Sequence, residues 1–306
     1  MGLKIVFMGT PDFAVPSLEI LLNQGGYSIV GVITATDKWG GRGGKTLIES
    51  PVKRFAQQHN LNILQPPNLK DPVFIKELKS LNADLQIVVA FRMLPEIVWN
   101  MPPLGTYNLH ASLLPKYRGA APIHWAVIHG EKETGLTTFK LQHEIDTGSI
   151  LFQEAIPILS TDTTGDVHDR MMPIGAKLVL KTVEAIDSGN VFLLQQDETQ
   201  VSKAPKLSKE MAKIEFEQDI LTVYNFIRGM SPFPGSWTLL ERKIFKIYFA
   251  EYEYFSETNS KKPGEITISQ TDSMQIFCLD GIIKPIDVQL EGKKRMHINE
   301  FVNGYL

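Results

Sequence analysis

The feature that most constrains the fold is the apolar run at residues 85–91 (LQIVVAF), the most continuous in the first hundred residues. A strand with water on one face alternates polar and apolar. A strand apolar on both faces has to be covered on both, as in the interior of a parallel sheet. Residues 3–9 (LKIVFMG) and 27–34 (YSIVGVIT) are further strands, and 62–65 a short one. Helices separate them. Residues 15–22 (VPSLEILL) follow the first strand; Ser50 and Pro51 supply N-cap and N1 for a helix to about residue 59. Asp71-Pro72 opens another through residue 81.

Strands and helices alternating at these lengths predict an α/β fold: a doubly wound, mostly parallel sheet with right-handed crossovers. Ligands in such sheets sit outside the carboxyl ends of the strands. Gly9, residues 91–95 (FRMLP) and residues 108–115 fall at those ends. Two more strands (136–141, 150–158) and a long helix (167–187) follow, then a polar stretch. After a helix at 217–230 the pattern changes to short β-rich runs at 237–255, 264–269, 274–279 and 282–290, which reads as a small OB-like β-barrel. The expected division is a catalytic domain at 1–189, a linker at 190–208 and a C-terminal domain at 209–306.

Candidate chemistry concentrates at 105–122 (GTYNLHASLLPKYRGAAP). Residues two apart on a strand share a face, so Asn108, His110 and Ser112 are expected to point one way and Tyr107, Leu109 and Ala111 the other. An amide, an imidazole and a hydroxyl in line aim at a small volume rather than pack. Downstream, Asp146-Thr147-Gly148 is a turn signal, with Gly148 expected to take positive φ. The expectation is that the fold brings Asp146 to His110. Such a pair suits a reaction that builds negative charge on a carbonyl oxygen.

Composition bounds the partners. Net charge is −3, and residues 200–306 hold 14 Lys and Arg against 14 Asp and Glu. Any RNA contact therefore needs local patches. The loop at 36–45 carries four glycines with Lys38, Arg42 and Lys45, and is expected to be a flexible basic arm for a phosphate backbone. Lys203, Lys206 and Lys209 form a second basic strip. The single cysteine, Cys278, excludes an intrachain disulfide and a cysteine-based zinc cluster; His124 and His129 read as surface or capping histidines and His143 has no paired ligand at metal spacing, so no metal is expected. No stretch approaches the roughly 20 apolar residues of a membrane span. The expectation is a soluble, cytoplasmic protein with no membrane contact and no obligate protein partner.

The residues Asn108-Leu-His110, 112–115 (SLLP), 118–122 (RGAAP) and 146–148 (DTG) together resemble the folate-dependent formyltransferases. The match runs in order along nearly the whole chain, through 9–13 (GTPDF), the loop around Arg42, 90–95, 206–209 (KLSK) and 231–237 (SPFPGSW). The segment at 206–209 and the β-rich C-terminal domain resemble the branch that acts on methionyl-tRNA. The resemblance implies 10-formyltetrahydrofolate as formyl donor. It implies the α-amino group of methionine on initiator tRNA as acceptor, for translation initiation. By position, Asn108, His110 and Asp146 match the family's catalytic trio. Ser112, Leu113, Leu114 and Pro115 match its folate-contacting run, and Phe91, Arg92, Met93, Leu94 and Pro95 the pterin-pocket wall. Arg42 matches the arginine of the tRNA-gripping loop, and 209–306 the tRNA-binding domain. One departure is Phe91-Arg92, where relatives carry a Tyr-Gly-type pair.

Three alternatives remain open at this point. A formyltransferase acting on a sugar nucleotide amine or glycinamide ribonucleotide shares the trio. A nucleotide-binding oxidoreductase is disfavoured because 9–14 (GTPDFA) lacks the second and third glycines of the dinucleotide fingerprint. A non-catalytic RNA-binding module is disfavoured by the neutral C-terminal charge and the absence of an obvious stacking motif.

Overall fold

The computed structural model describes residues 2–40, 44–256, 260–268 and 273–305; Arg42 of the expected basic arm lies outside them. The chain divides into two compact units. The first is Met1–Arg118, Gly135–Ile156 and His168–Ser202; the second is Gly119–Thr134, Pro157–Val167 and Lys203–Leu306.

Up to residue 157 the strands are β1 (Lys4–Gly9), β2 (Ser28–Ile33), β3 (Lys38–Gly40), β4 (Thr46–Ile48), β5 (Ile63–Leu64), β6 (Leu85–Val89), β7 (Thr106–His110), β8 (Arg118–Gly119), β9 (Glu133–Lys140) and β10 (Ile150–Pro157). The helices are α1 (Val15–Asn23), α2 (Pro51–Gln58), α3 (Pro72–Ser80), α4 (Glu96–Trp99), α5 (Pro122–Ile128) and α6 (Thr164–Asp187). Seven strands form one sheet in the order β10-β9-β7-β6-β1-β2-β5. β1 pairs parallel with β2 and β6, β2 with β5 and β6 with β7, while β9 runs antiparallel to β7. Strand order reverses at β1, the switch point where such sheets bind ligands.

The register pairs Gly9 with Val89 and Val89 with Leu109. The carboxyl ends of β1, β6 and β7 are therefore level, and residues 90–95 and 111–115 leave the sheet side by side. β6 is buried along its whole length; its one polar member, Gln86, accepts a hydrogen bond from Thr106 Oγ1 at 2.9 Å. The strand stops at Val89, two residues before the apolar run does, because Ala90 turns to φ 48°. Ser50 and Asp71 cap α2 and α3, accepting from Lys53 N at 3.0 Å and Val73 N at 2.8 Å. Gly175 lets α6 lie close to β7: a Cβ there would fall 2.8 Å from Leu109 Cδ2.

Two expectations change here. Part of the glycine-rich loop is a hairpin, β3 pairing antiparallel with β4. Of the stretch expected as a linker, residues 190–202 belong to the first unit, with Leu194 bridging Ile150 and Gln196 buried, and residues 203–208 to the second.

The remaining strands are β11 (Lys203–Ala204), β12 (Ser236–Leu240), β13 (Lys243–Tyr254), β14 (Ile266–Ile268), β15 (Met274–Phe277), β16 (Gly281–Leu290) and β17 (Met296–His297), with helices α7 (Ile220–Gly229) and α8 (Ile298–Tyr305). Within the second unit, β12-β13-β16-β15-β14 and β17 make a curled antiparallel half-barrel. Its core is built from Val223, Ile227, Phe245, Ile247, Ile283 and Phe301. The β-rich run expected at 237–255 is a hairpin. Glu241 and Arg242 both take left-handed φ, 49° and 67°, the two-residue pattern that matches strand twist.

Candidate active site

β7 sorts its side chains by face. Tyr107 and Leu109 are buried on the core side, where α6 reaches Leu109 through Gly175. Burial pushes the Tyr107 phenol above its ordinary value. Asn108 and His110 take the alternate positions; Asn108 is half-buried and His110 buried. His110 Nε2 lies 2.9 Å from the Tyr117 carbonyl. A carbonyl oxygen only accepts, so Nε2 carries the hydrogen and donates it, leaving Nδ1 as the nitrogen open to other partners. Nδ1 faces Asp146 Oδ2 at 3.8 Å, both side chains being largely buried. That distance is ion-pair range and too long for a hydrogen bond.

The turn carrying Asp146 works differently from the sequence expectation. The left-handed residue is Asp146 itself, at φ 56°. A short polar side chain tolerates that region better than most. Gly148 is needed for close approach instead: a Cβ would sit 1.8 Å from the Lys140 carbonyl oxygen. Ala90 and Tyr117 also hold left-handed φ, 48° and 60°. Non-glycine residues in this region store roughly 1–3 kcal/mol each and cluster at functional sites.

Ser112 lies beyond the end of β7, so the expected in-line face shortens to Asn108 and His110. Its hydroxyl donates to Lys116 O at 2.6 Å inside the turn. Thr137 ties this turn to the sheet. Its hydroxyl donates to Ser112 O at 2.6 Å and accepts from Leu114 N at 3.1 Å and Gln153 Nε2 at 3.0 Å. Leu114 packs with Phe139 and Ile150, while Leu113 and Pro115 are half-buried.

Among residues 91–95, Leu94 is in the core, Phe91 packs against it and Pro95 sits at the N-cap of α4. Met93 is 71% exposed. Arg92 bonds to carbonyls of the β5–α3 connection, donating to Pro67 O at 2.9 Å and to Pro66 O. Its guanidinium also lies 5.6 Å from the centre of the Phe91 ring. Lys38, Lys45, Lys203, Lys206 and Lys209 are all exposed. Among the described residues no group of three His, Cys, Asp or Glu is placed to hold a metal, and no helix is long and apolar enough to cross a membrane.

A formyl transferase family model matches residues 3–183, and the model of the formyl transferase C-terminal domain matches 206–306. The chain belongs to the formyl transferase family. The family member from Phocaeicola vulgatus, a methionyl-tRNA formyltransferase, is 53% identical over 99% of this chain and 96% of its own length. Another methionyl-tRNA formyltransferase, from Azobacteroides pseudotrichonymphae, is 50% identical over 98% of this chain and 95% of its own. Among solved structures, the N-formyltransferase of Helicobacter canadensis in complex with folinic acid and dTDP-3-aminofucose superposes with a TM-score of 0.69. It is 19% identical and covers 92% of this chain and 98% of that one, a likeness of fold.

Sequence reasoning missed Tyr117, Thr137 and Gln196 in this candidate site. Thr137 was readable only as one residue of an alternating strand. Tyr117 acts through its backbone carbonyl, for which side-chain identity gives no signal.

Proposed function

We propose that this protein transfers a formyl group from 10-formyltetrahydrofolate to the α-amino group of methionine carried on initiator tRNA. The observation that carries the reading is the His110–Asp146 approach of 3.8 Å beside Asn108, at the carboxyl end of β7. It occurs in a chain about half identical, over nearly its full length, to curated methionyl-tRNA formyltransferases. Residues 1–189 do the chemistry in this reading, and 209–306 hold the tRNA. Phe91, Arg92, Met93, Leu94 and Pro95 with Ser112, Leu113, Leu114 and Pro115 flank the folate. Lys38, Arg42, Lys45, Lys203, Lys206 and Lys209 face tRNA phosphates, a contact weakened by salt.

The neutral amine adds to the formyl carbon, and the carbonyl oxygen becomes an oxyanion. Asn108 NH₂ and the Nδ1–H of charged His110 donate to that oxygen, Nε2–H being held by Tyr117. Removing one such donor typically lowers the rate roughly 10²–10³-fold. Asp146, in ion-pair range of the ring, accepts the amine proton, directly or through a water. The intermediate collapses by breaking the bond to the folate nitrogen, which takes up the proton that Asp146 received from the amine. No covalent enzyme intermediate is required.

The test is formyl transfer from 10-formyltetrahydrofolate to methionyl-tRNA, with uncharged tRNA and a dTDP-amino sugar as controls. Formyl-methionyl-tRNA as the sole product is the expected result. A formylated amino sugar with no formyl-methionyl-tRNA would overturn the reading.

A further inference from the structure

Gln196 is 91% removed from solvent and spends its whole amide on the turn that carries Asp146. Nε2 donates to Asp146 O and to Gly148 O, both at 2.8 Å. Oε1 accepts from Arg118 Nε at 3.0 Å and Arg118 Nη2 at 2.7 Å. An amide has two donors and two lone pairs, and all four are used, so only one orientation of the side chain fits. Arg118 is held in turn by both carboxylate oxygens of Glu198, at 2.7 Å and 3.1 Å. Such two-point guanidinium–carboxylate pairs fix geometry as well as adding energy.

The same short segment grips the other half of the pair. Ser202 Oγ accepts from Tyr117 N at 2.8 Å, and Ser202 O accepts from Arg118 N at 2.9 Å. Tyr117 O is the acceptor that orients His110. Residues 196–202 therefore bind the backbone behind Asp146 at one end and the backbone behind His110 at the other.

We propose that Gln196 is a positioning residue for formyl transfer, setting the approach of Asp146 to His110 through the Gln196–Arg118–Glu198 clamp. This rests on the functional reading above. A reacting geometry displaced by about 1 Å lowers turnover on the order of 100-fold. Gln196→Glu keeps the shape and the acceptor for Arg118 but removes both donors and sets an oxygen against two carbonyl oxygens. Gln196→Leu removes donors and acceptors together.

The experiment compares both variants in steady-state and single-turnover formylation of methionyl-tRNA, with melting temperatures measured alongside. Both are expected to lose about 10- to 100-fold in kcat. KM for the folate and for the tRNA should stay within about threefold. A second arm adds Gln196→Glu to Asp146→Asn. If Gln196 acts through Asp146, it should lower the residual rate by less than about threefold there, since coupled residues are not additive. A change in KM with kcat intact, or the same fold-loss in both backgrounds, would overturn the inference. If Gln196→Leu does not fold, Gln196→Glu alone decides. Failure of the wild-type protein to formylate methionyl-tRNA would overturn the functional reading and this inference with it. An active wild type with additive losses overturns this inference alone.

Discussion

Gly148→Ala puts the geometry of the Asp146 turn to a quantitative test. The added Cβ would meet Lys140 O at 1.8 Å, and carbon atoms essentially never approach closer than 3.0 Å, so the turn must move by at least 1.2 Å. The strand side has little freedom, because Lys140 N donates to Ser149 O at 3.0 Å and Lys140 pairs with Tyr107 in β9–β7. The displacement therefore falls on 146–148 and carries Asp146 away from His110. A misplacement of this size lowers kcat about 100-fold. The strain also destabilises the fold by about 1–3 kcal/mol. The assay is single-turnover formylation with enzyme in excess, beside folate binding by fluorescence. Gly25→Ala serves as control, since a Cβ there meets nothing within 4 Å. A Gly148→Ala protein that turns over within about threefold of wild type would refute the claim that this turn sets the distance.

Other contacts in the structure set further outcomes. His110→Ala should lower kcat about 100- to 10,000-fold with tRNA binding retained, measured by filter binding beside turnover. Arg92→Ala frees 91–95 from the Pro66 and Pro67 carbonyls. It should raise KM for the folate about three- to tenfold and leave KM for the tRNA unchanged, since tenfold corresponds to about 1.4 kcal/mol. Burial, with Asp280 and Asp219 nearby, pushes the Cys278 thiol up to about 12, so native protein at pH 8 should resist iodoacetamide and unfolded protein should not, read by intact mass. Asp219→Ala removes the cap of α7 and should lower stability by about 1 kcal/mol at neutral pH. The bonds from Thr222 hold the Asp219 carboxyl below its ordinary value. The difference between the two proteins should therefore hold above the ordinary carboxylate range and vanish as pH falls through the lowered value, tracked by urea unfolding across pH.

The fold was legible where one physical cause acts locally. The apolar runs at 3–9 and 85–91 supply β1 and β6, which the sheet interior buries on both faces, and Ser50-Pro51 and Asp71-Pro72 start helices because side-chain oxygens reach the first amides. It was less legible where a backbone angle does the work. Ala90 ends β6 with φ 48°, and Glu241-Arg242 folds β12 onto β13 without the Asn-Gly signal that marks such turns. Both conformations are imposed by the surrounding sheet on residues with no local preference for them.

The site divides along the same line. Asn108, His110 and Asp146 stand out in the sequence because an amide, an imidazole and a carboxylate have little reason to gather in a buried strand and turn except for chemistry. Their chain order and spacing were enough to name the family they resemble. The role of Gly148 was not readable, since the carbonyl it avoids belongs to Lys140, eight residues away and folded back upon it. Nor was the tautomer of His110, which a backbone carbonyl decides. The hold of 196–202 on both halves of the pair depends on contacts up to 85 positions apart in the chain. Residue types determine which groups can react; only the folded chain brings distant backbone oxygens and amides to the places that aim them.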